Sequence, residues 1–371
     1  MINLEIINQK LIDESLAFLK NISKQDKVCV IHHTDPDGVS SGVILAKAVE
    51  RLRGKKIDLR HNQKGSLHSF SNETIELLKK NAINKLLVID IGPEDNLETL
   101  TKAAEFAEIL IVDHHQISNQ INNKRVIMYK PQLVFSDIQP SRYCASKLAY
   151  DLCSRIVDLS DLDWVASIGI IGDIASLQWK EFLEGVFKKY KIKTNKDDWF
   201  HTNLGRVASI INSADCFGTK YVKQSFEVLY AAKSYKSIFN SILVKYEKII
   251  GKEINYLIKN VDKKAEIYQD IGLIYYEIKS KHHVKSAVST VLSFKYSDKT
   301  LIVVGMDEPE EIVVSARRQD QKVKMNELMK YAIKDIPGAM GGGHIPASGA
   351  TVSRKYYPEF KRRVFEYLKN G

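Results

Sequence analysis

Aspartate and histidine recur at four separate places in this 371-residue chain, in a pattern suited to holding divalent metal ions. Asp35 and Asp37 stand two apart just after His33, Asp90 closes the apolar run KLLVID, His114 and His115 follow Asp113, and Asp173 follows Gly172. Carboxylate oxygens mixed with imidazole nitrogens suit Mn²⁺, with Mg²⁺, Fe²⁺ or Zn²⁺ as alternatives. Two such ions bridged by one carboxylate would clamp a phosphate, acidify a bridging water and steady the leaving oxygen, which is the chemistry of phosphoester hydrolysis. Asp37-Gly38 by itself reads as a helix cap or a turn. An aspartate that ends a buried strand has no such explanation, and three successive strand ends carrying ligand-type residues point to one site.

Those residues need elements that bring them together. Residues 27–33 (KVCVIHH) form a short β-branched run that stops at an Asp-Pro-Asp-Gly turn, and an Ala/Val/Leu helical pattern covers 40–53. A second continuous apolar strand is expected at 85–91, a helix at 97–107 and a third strand at 109–112. Continuous apolar strands separated by helices predict a parallel sheet covered on both faces. The polar clusters then lie at the carboxyl edge, where open α/β sheets bind ligands. Helices are expected over 141–154 and 161–171, the second delivering Asp173, and one long helix over 221–250. Strands near 271–278, 300–304 and 312–315, with helices at 286–294 and 358–368, predict a smaller α/β domain at the end of the chain. The expected organisation is a metal-site domain over 1–180, a helical connector over 181–262 and a substrate-binding domain over 263–371.

A second chemical signal is Gly341-Gly342-Gly343-His344. Consecutive glycines let backbone N–H groups approach an anion, and the imidazole adds a donor, so the segment reads as a loop gripping a phosphate or nucleotide. Upstream, Ser315-Ala316-Arg317-Arg318 carries two adjacent arginines, of which Arg318 reads as a solvated strand-end arginine. Lysines 188, 189, 191 and 193 near Tyr190, Trp199 and Phe200, and the cluster Lys361-Arg362-Arg363, offer phosphate contacts and stacking faces, but charge on a surface helix is ordinarily solvation. His282 and His283 read as an exposed loop, and His61, His68 and His201 as isolated.

These motifs resemble the DHH family of phosphoesterases. Asp113-His114-His115 matches the motif that names the family, His33-Thr34-Asp35-Pro36-Asp37-Gly38 its HxDxDG form, Asp90 in VIDIG its second motif and Asp173 in GIIGDIA its fourth. The resemblance implies one ion held by His33, Asp35 and Asp90, and another by Asp37, His114, Asp173 and the bridging Asp90. Asp90, His114 and His115 would then carry catalysis, His115 also orienting substrate. Asp113 would support the turn, since ligating imidazoles are usually backed by a carboxylate or carbonyl. His32 competes with His33 as the first histidine. Gly341 to His344 and Arg317 resemble the DHH-associated C-terminal domain, which goes with RecJ-like exonucleases, oligoribonucleases and cyclic-dinucleotide phosphodiesterases.

The function so implied is RecJ-like exonuclease hydrolysis of single-stranded DNA or RNA to nucleoside 5′-monophosphates, in a cleft between the domains, with archaeal RecJ-like proteins of replication and repair the most similar. Two alternatives stand beside it: a phosphodiesterase for very short RNA, cyclic dinucleotides or 3′-phosphoadenosine phosphate, and a structural component of a replication complex. The net charge of +10 is compatible with a polyanionic substrate. Four cysteines without a CxxC pair predict reduced, buried thiols. With no leader pattern and no run of about 18 apolar residues, a cytoplasmic protein without a membrane partner is expected.

Overall fold

The computed structural model describes residues 4–62, 70–136, 138–194, 198–306 and 309–370, so His68 lies outside the described residues. The chain divides into two units, one comprising residues 1–215 and 219–247, the other 216–218 and 248–371.

The first unit is built on five parallel strands: β1 (Val28–His32), β2 (Leu59–Asn62), β3 (Lys85–Ile89), β4 (Glu108–Val112) and β5 (Val126–Tyr129), in the order β2-β1-β3-β4-β5. β1 and β3 are buried along their whole length because helices cover both faces, which is why they read as unbroken apolar runs. On one face Cys29, Ile31, Leu86, Val88, Ile109 and Ile111 pack with Ile75 and Leu78 of the helix Asn72–Lys80 and with Leu100 and Ala103 of the helix Leu97–Ala104. The helix Pro36–Arg53 packs on β1 and against the helices Ala145–Cys153 and Asp163–Gly172. The two edge strands are less buried. β2 (LRHN) is half-buried and polar, and β5 (VIMY) is apolar but only four residues long and half-buried over its first three.

The second unit is a six-stranded sheet of β6 (Glu266–Tyr268), β7 (Leu273–Ile278), β8 (Thr300–Gly305), β9 (Glu311–Arg317), β10 (Met340–Gly343) and β11 (Ala347–Ser353), ordered β10-β11-β9-β8-β7-β6. Only β7 and β8 are parallel, joined through the helix Lys285–Lys295. One face packs on Met325, Leu328 and Met329 of a helix without a sequence-based expectation, Met325–Ile333, and on Phe360 and Val364 of the closing helix Tyr357–Asn370.

Several expectations are corrected. The helix expected over 221–250 is three helices, Val222–Ala231, Tyr235–Ile238 and Leu243–Lys259, because Ala232 turns extended and Ser234 caps the next turn by accepting from the Lys236 N–H. The Gly341–Gly343 segment is an edge strand rather than a loop, registered on Ser348 to Ala350 of β11. His282 is buried: its Nδ1 lies 2.5 Å from Glu253 Oε2 and its ring stacks on Phe217 at 5.1 Å. The carboxylate that pairs with it is 29 residues away in sequence, which a local reading does not see. All four cysteines are free and buried, as expected. Among the described residues no helix is long and apolar enough to cross a membrane. Leu86, fully buried in the central strand of the first unit, sets a direct check on this core: Leu86→Ala should lower unfolding free energy by about 2–5 kcal/mol in chemical denaturation.

Candidate metal centre

The strand order of the first unit reverses direction between β1 and β3, and such a reversal opens a crevice at the carboxyl ends of the strands. The first motif sits there. Asp35 caps the helix Pro36–Arg53, its Oδ1 accepting the Gly38 N–H at 2.8 Å, while its Oδ2 lies 3.1 Å from His33 Nδ1. The same carboxylate therefore ends the helix and faces the crevice. Asp37 is held from another direction, by the Ala145 and Ser146 N–H groups at 2.7 and 2.9 Å. These belong to the start of the helix Ala145–Cys153, where unpaired amides and the helix dipole favour an anion.

Two glycines permit this crowding. A Cβ on Gly38 would stand 2.5 Å from His33 Cβ, so the glycine of the HxDxDG pattern lets the helix start against the strand end. A Cβ on Gly169 would stand 2.1 Å from Ser146 Oγ and 2.4 Å from Asp37 Oδ1. The helix Asp163–Gly172 thus approaches Asp37 only because that position lacks a side chain.

Asp90 is the residue on which the strand ends converge. It follows β3 with a φ of 59°, a left-handed conformation that is costly for a residue other than glycine. Its Oδ2 lies 3.7 Å from His33 Nδ1, and its Oδ1 lies 3.3 Å from His114 Nε2 and 4.0 Å from His115 Nδ1. Oδ1 is buried and accepts no well-directed hydrogen bond among the described residues. His33, Asp35 and Asp90 bring ligand atoms within 4.8 Å of one another, and so do Asp37, Asp90 and His114; the two groups share Asp90. Asp173 caps the helix Asp163–Gly172 and precedes Ile174, whose φ of 58° is a further strained position. Its Oδ2 is 3.8 Å from His114 Nδ1, and it stands in neither of the two tight groups.

The electrostatics suit a bound cation. Burial and the neighbouring Asp35 and Asp37 charges push the Asp90 carboxyl well above its usual range, and burial raises Asp37 against the opposing pull of His114. Burial opposes a charge on His33, yet the carboxylates of Asp35, Asp90 and Asp215 raise that imidazole to about 10. Carboxylates crowded this closely, two of them buried, relieve their repulsion by taking protons or by binding a cation. An oxygen-rich donor set with imidazoles, centred on the buried Asp90 carboxylate, fits a divalent metal ion.

His32 is separated from the centre. Its ring stacks on Phe226 at 5.1 Å, its Nδ1 faces the His33 carbonyl oxygen at 2.6 Å, and burial together with Arg60 lowers its pKa to about 3. His115 lies beside His114, its Nδ1 2.7 Å from Asp113 Oδ1. Behind Asp113 stand two residues that sequence reasoning missed, Lys130 and Glu94, both fully buried. A third is Asp215, in the helix Asn203–Phe217, which acts on His33 through its charge. None of the three belongs to a motif, and no local pattern distinguishes them.

In the second unit, register brings the other candidates to one end of the sheet. Arg317 ends β9 opposite Ala347, and Ala347 closes a tight turn with His344, whose N–H donates to the Ala347 carbonyl at 2.7 Å. Arg317 Nε donates to Ser289 Oγ at 3.2 Å. Gly341, Gly342 and Gly343 are exposed along the neighbouring edge strand. Arg318 is not a solvated arginine: its Nε lies 2.7 Å from Asp320 and it donates to Thr300 Oγ1 at 3.0 Å. Part of the basic clusters is engaged within the fold, while Lys188, Lys191 and Lys193 are exposed. Lys189 and Tyr190 both bind Asp163, Trp199 is buried against Phe187, Lys361 pairs with Glu266, and Arg362 and Arg363 pair with Glu359.

Substituting Gly169→Ala should weaken Mn²⁺ binding, read by calorimetry, at least about tenfold while costing about 1–3 kcal/mol of stability through overpacking. Gly185→Ala, in the helix Lys180–Tyr190 with nothing near its added Cβ, should leave metal binding unchanged and stabilise by about 0.5–1 kcal/mol.

Residues 27–172 match the DHH family N-terminal domain, and residues 247–370 match the DHHA1 domain. An uncharacterized protein of Methanocaldococcus jannaschii is 27% identical, the match covering 91% of this chain and 92% of that protein. The single-stranded-DNA-specific exonuclease RecJ of Bacillus subtilis is 22% identical over 94% of this chain, which spans 46% of the relative's length. The structure of Thermus thermophilus RecJ in complex with Mn²⁺ superposes with a TM-score of 0.74 at 18% identity, covering all of this chain and 56% of that one. With both family domains in order and the fold of RecJ, this chain belongs to the DHH family of phosphoesterases and carries a DHHA1 domain.

Proposed function

We propose that the protein is a two-metal phosphodiesterase that shortens single-stranded DNA or RNA, releasing nucleoside 5′-monophosphates. The observation that carries this reading is the buried Asp90 carboxylate, shared among three groups of ligand atoms, two of them the proposed ion sites, and left without a well-directed hydrogen bond at Oδ1 among the described residues. Its support from relatives is a Bacillus subtilis protein named as a single-stranded-DNA-specific exonuclease and a Thermus thermophilus RecJ seen with Mn²⁺.

His33, Asp35 and Asp90 hold one divalent ion and Asp37, Asp90 and His114 a second, with Asp173 completing the second group. Mn²⁺ is the expected ion, with Mg²⁺ as an alternative. Ions so placed supply Lewis acidity, making water a nucleophile near neutral pH and offsetting charge on the phosphoryl oxygens. The chain's own part is geometric. Asp35 keeps one oxygen on the Gly38 N–H and so presents the other in a single direction. Asp37 is immobilised by two amides. His114 turns Nδ1 to the Pro140 carbonyl at 3.3 Å and Nε2 to Asp90, the arrangement that orients a ligating imidazole. His115, backed by Asp113, donates to the phosphate under attack. Arg317, Gly341, Gly342, Gly343 and His344 grip a neighbouring phosphate or the terminal nucleotide through guanidinium, backbone and imidazole donors. A cytoplasmic location and a replication or repair protein partner accompany this reading.

End-labelled DNA and RNA strands from two to about forty nucleotides, incubated with Mn²⁺ and resolved by size, test it. Stepwise shortening of long strands to mononucleotides is the expected outcome, with Asp90→Asn lowering the rate at least about 10³-fold while the protein stays folded. Turnover of dinucleotides or cyclic dinucleotides alone would replace this reading with a small-substrate phosphodiesterase, and full activity in Asp90→Asn would sink the metal mechanism.

A further inference from the structure

The edge strand β5 is followed directly by a lysine, Lys130, that the fold buries completely. Register pairs Val112 of β4 with Tyr129 of β5, and the Asp113 N–H donates to the Tyr129 carbonyl at 3.2 Å, so Lys130 emerges directly beside Asp113. Its Nζ lies 2.7 Å from Asp113 Oδ2 and contacts Glu94, which stands on the turn Pro93–Asp95 shortly after Asp90. Lys130, Asp113 and Glu94 have fully buried side chains, whereas the His115 side chain retains 24% of its exposure. Of this chain of contacts, only His115 reaches the crevice.

Burying one ammonium with two carboxylates is a poor way to stabilise a fold, since apolar side chains of similar volume usually do as well or better. What the group achieves is direction. Asp113 Oδ1 accepts from His115 Nδ1 at 2.7 Å, and the same Lys130 ammonium lies 3.3 Å from the His115 carbonyl oxygen, where Gln132 Nε2 also donates at 2.9 Å. The ring and the main chain of His115 are both referenced to one buried charge. An imidazole whose Nδ1–H is committed to a carboxylate is held in one tautomer and one rotamer, with Nε2 on the far side of the ring.

We infer that Lys130, balanced by Glu94, is a positioning residue that acts through Asp113 to fix the tautomer and orientation of His115 for contact with the substrate phosphate. The inference rests on the phosphodiesterase reading for its effect on rate, but its structural half stands apart from activity. Lys130→Met alone would strand two buried carboxylates and risks unfolding. The pair Lys130→Met/Glu94→Gln removes one charge of each sign and keeps side-chain volume.

The full chain, ¹⁵N-labelled at histidine, is compared with this pair variant by NMR and by Mn²⁺-dependent hydrolysis of a dinucleotide. His115 is expected as a single Nδ1–H tautomer in the parent and as a mixture in the variant. The variant's kcat is expected to fall about 10–100-fold at unchanged KM and unchanged Mn²⁺ affinity. Introduced into His115→Ala, the same pair should cost less than about twofold, because effects that pass through one residue do not add. An unchanged His115 tautomer in the variant, an equal loss in the His115→Ala background, or Mn²⁺ affinity falling in step with kcat would each overturn the inference. Should the parent not hydrolyse phosphodiesters at all, the functional reading fails, and the tautomer comparison still decides whether Lys130 sets His115.

Discussion

Crowding of negative charge at one sheet edge is the constraint on which the first unit is built. Asp35, Asp37, Asp90 and Asp173 cannot stand near one another, with Asp37 and Asp90 buried, unless each is restrained and partly compensated. Each restraint comes from a different element: a helix N-cap for Asp35, the amides of a second helix for Asp37, a left-handed backbone turn for Asp90 and a helix C-cap for Asp173. The cost is visible in two strained backbone positions and one buried carboxylate oxygen without a well-directed donor among the described residues. Strain of this kind persists where the surrounding structure over-determines it, and it concentrates at sites that bind or react.

The local packing follows from the same demand. The helix Pro36–Arg53 must begin hard against the end of β1, which requires glycine at 38, and the helix Asp163–Gly172 must reach Asp37, which requires glycine at 169. Lys130, the residue directly after the edge strand β5, supplies positive charge. The second unit is organised differently. Its sheet is mostly antiparallel, its edge strand β10 consists of Met340 and three glycines, and its cationic candidate Arg317 is positioned by serine hydroxyls.

Much of the fold is legible in the amino-acid pattern alone. The apolar runs at β1, β3 and β4 and the intervening helical patterns follow from the burial of a parallel sheet on both faces, so the fold class and the clustering of His33, Asp35, Asp37, Asp90 and His114 can be read from periodicity and position. Elements that escape that reading are those whose residues do not need to be apolar. β2 lies at a half-exposed edge, β10 is mostly glycine, and the helix expected over 221–250 breaks where Ala232 turns extended and the Ser234 hydroxyl caps the next turn.

The sequence by itself therefore determined which residues end which strands, because that depends on local pattern and on the alternation of buried strands with helices. Which side chains meet across strands was decided only by the tertiary structure. Lys130 touches Asp113 because β5 pairs with β4 in one particular register, Glu94 reaches Lys130 across 36 residues, Asp215 acts on His33 across the unit, and His282 finds Glu253 29 residues away. Such pairings depend on how strands align and how helices dock. Those quantities are set by the packing of the whole core and leave no mark in the residues immediately around each partner.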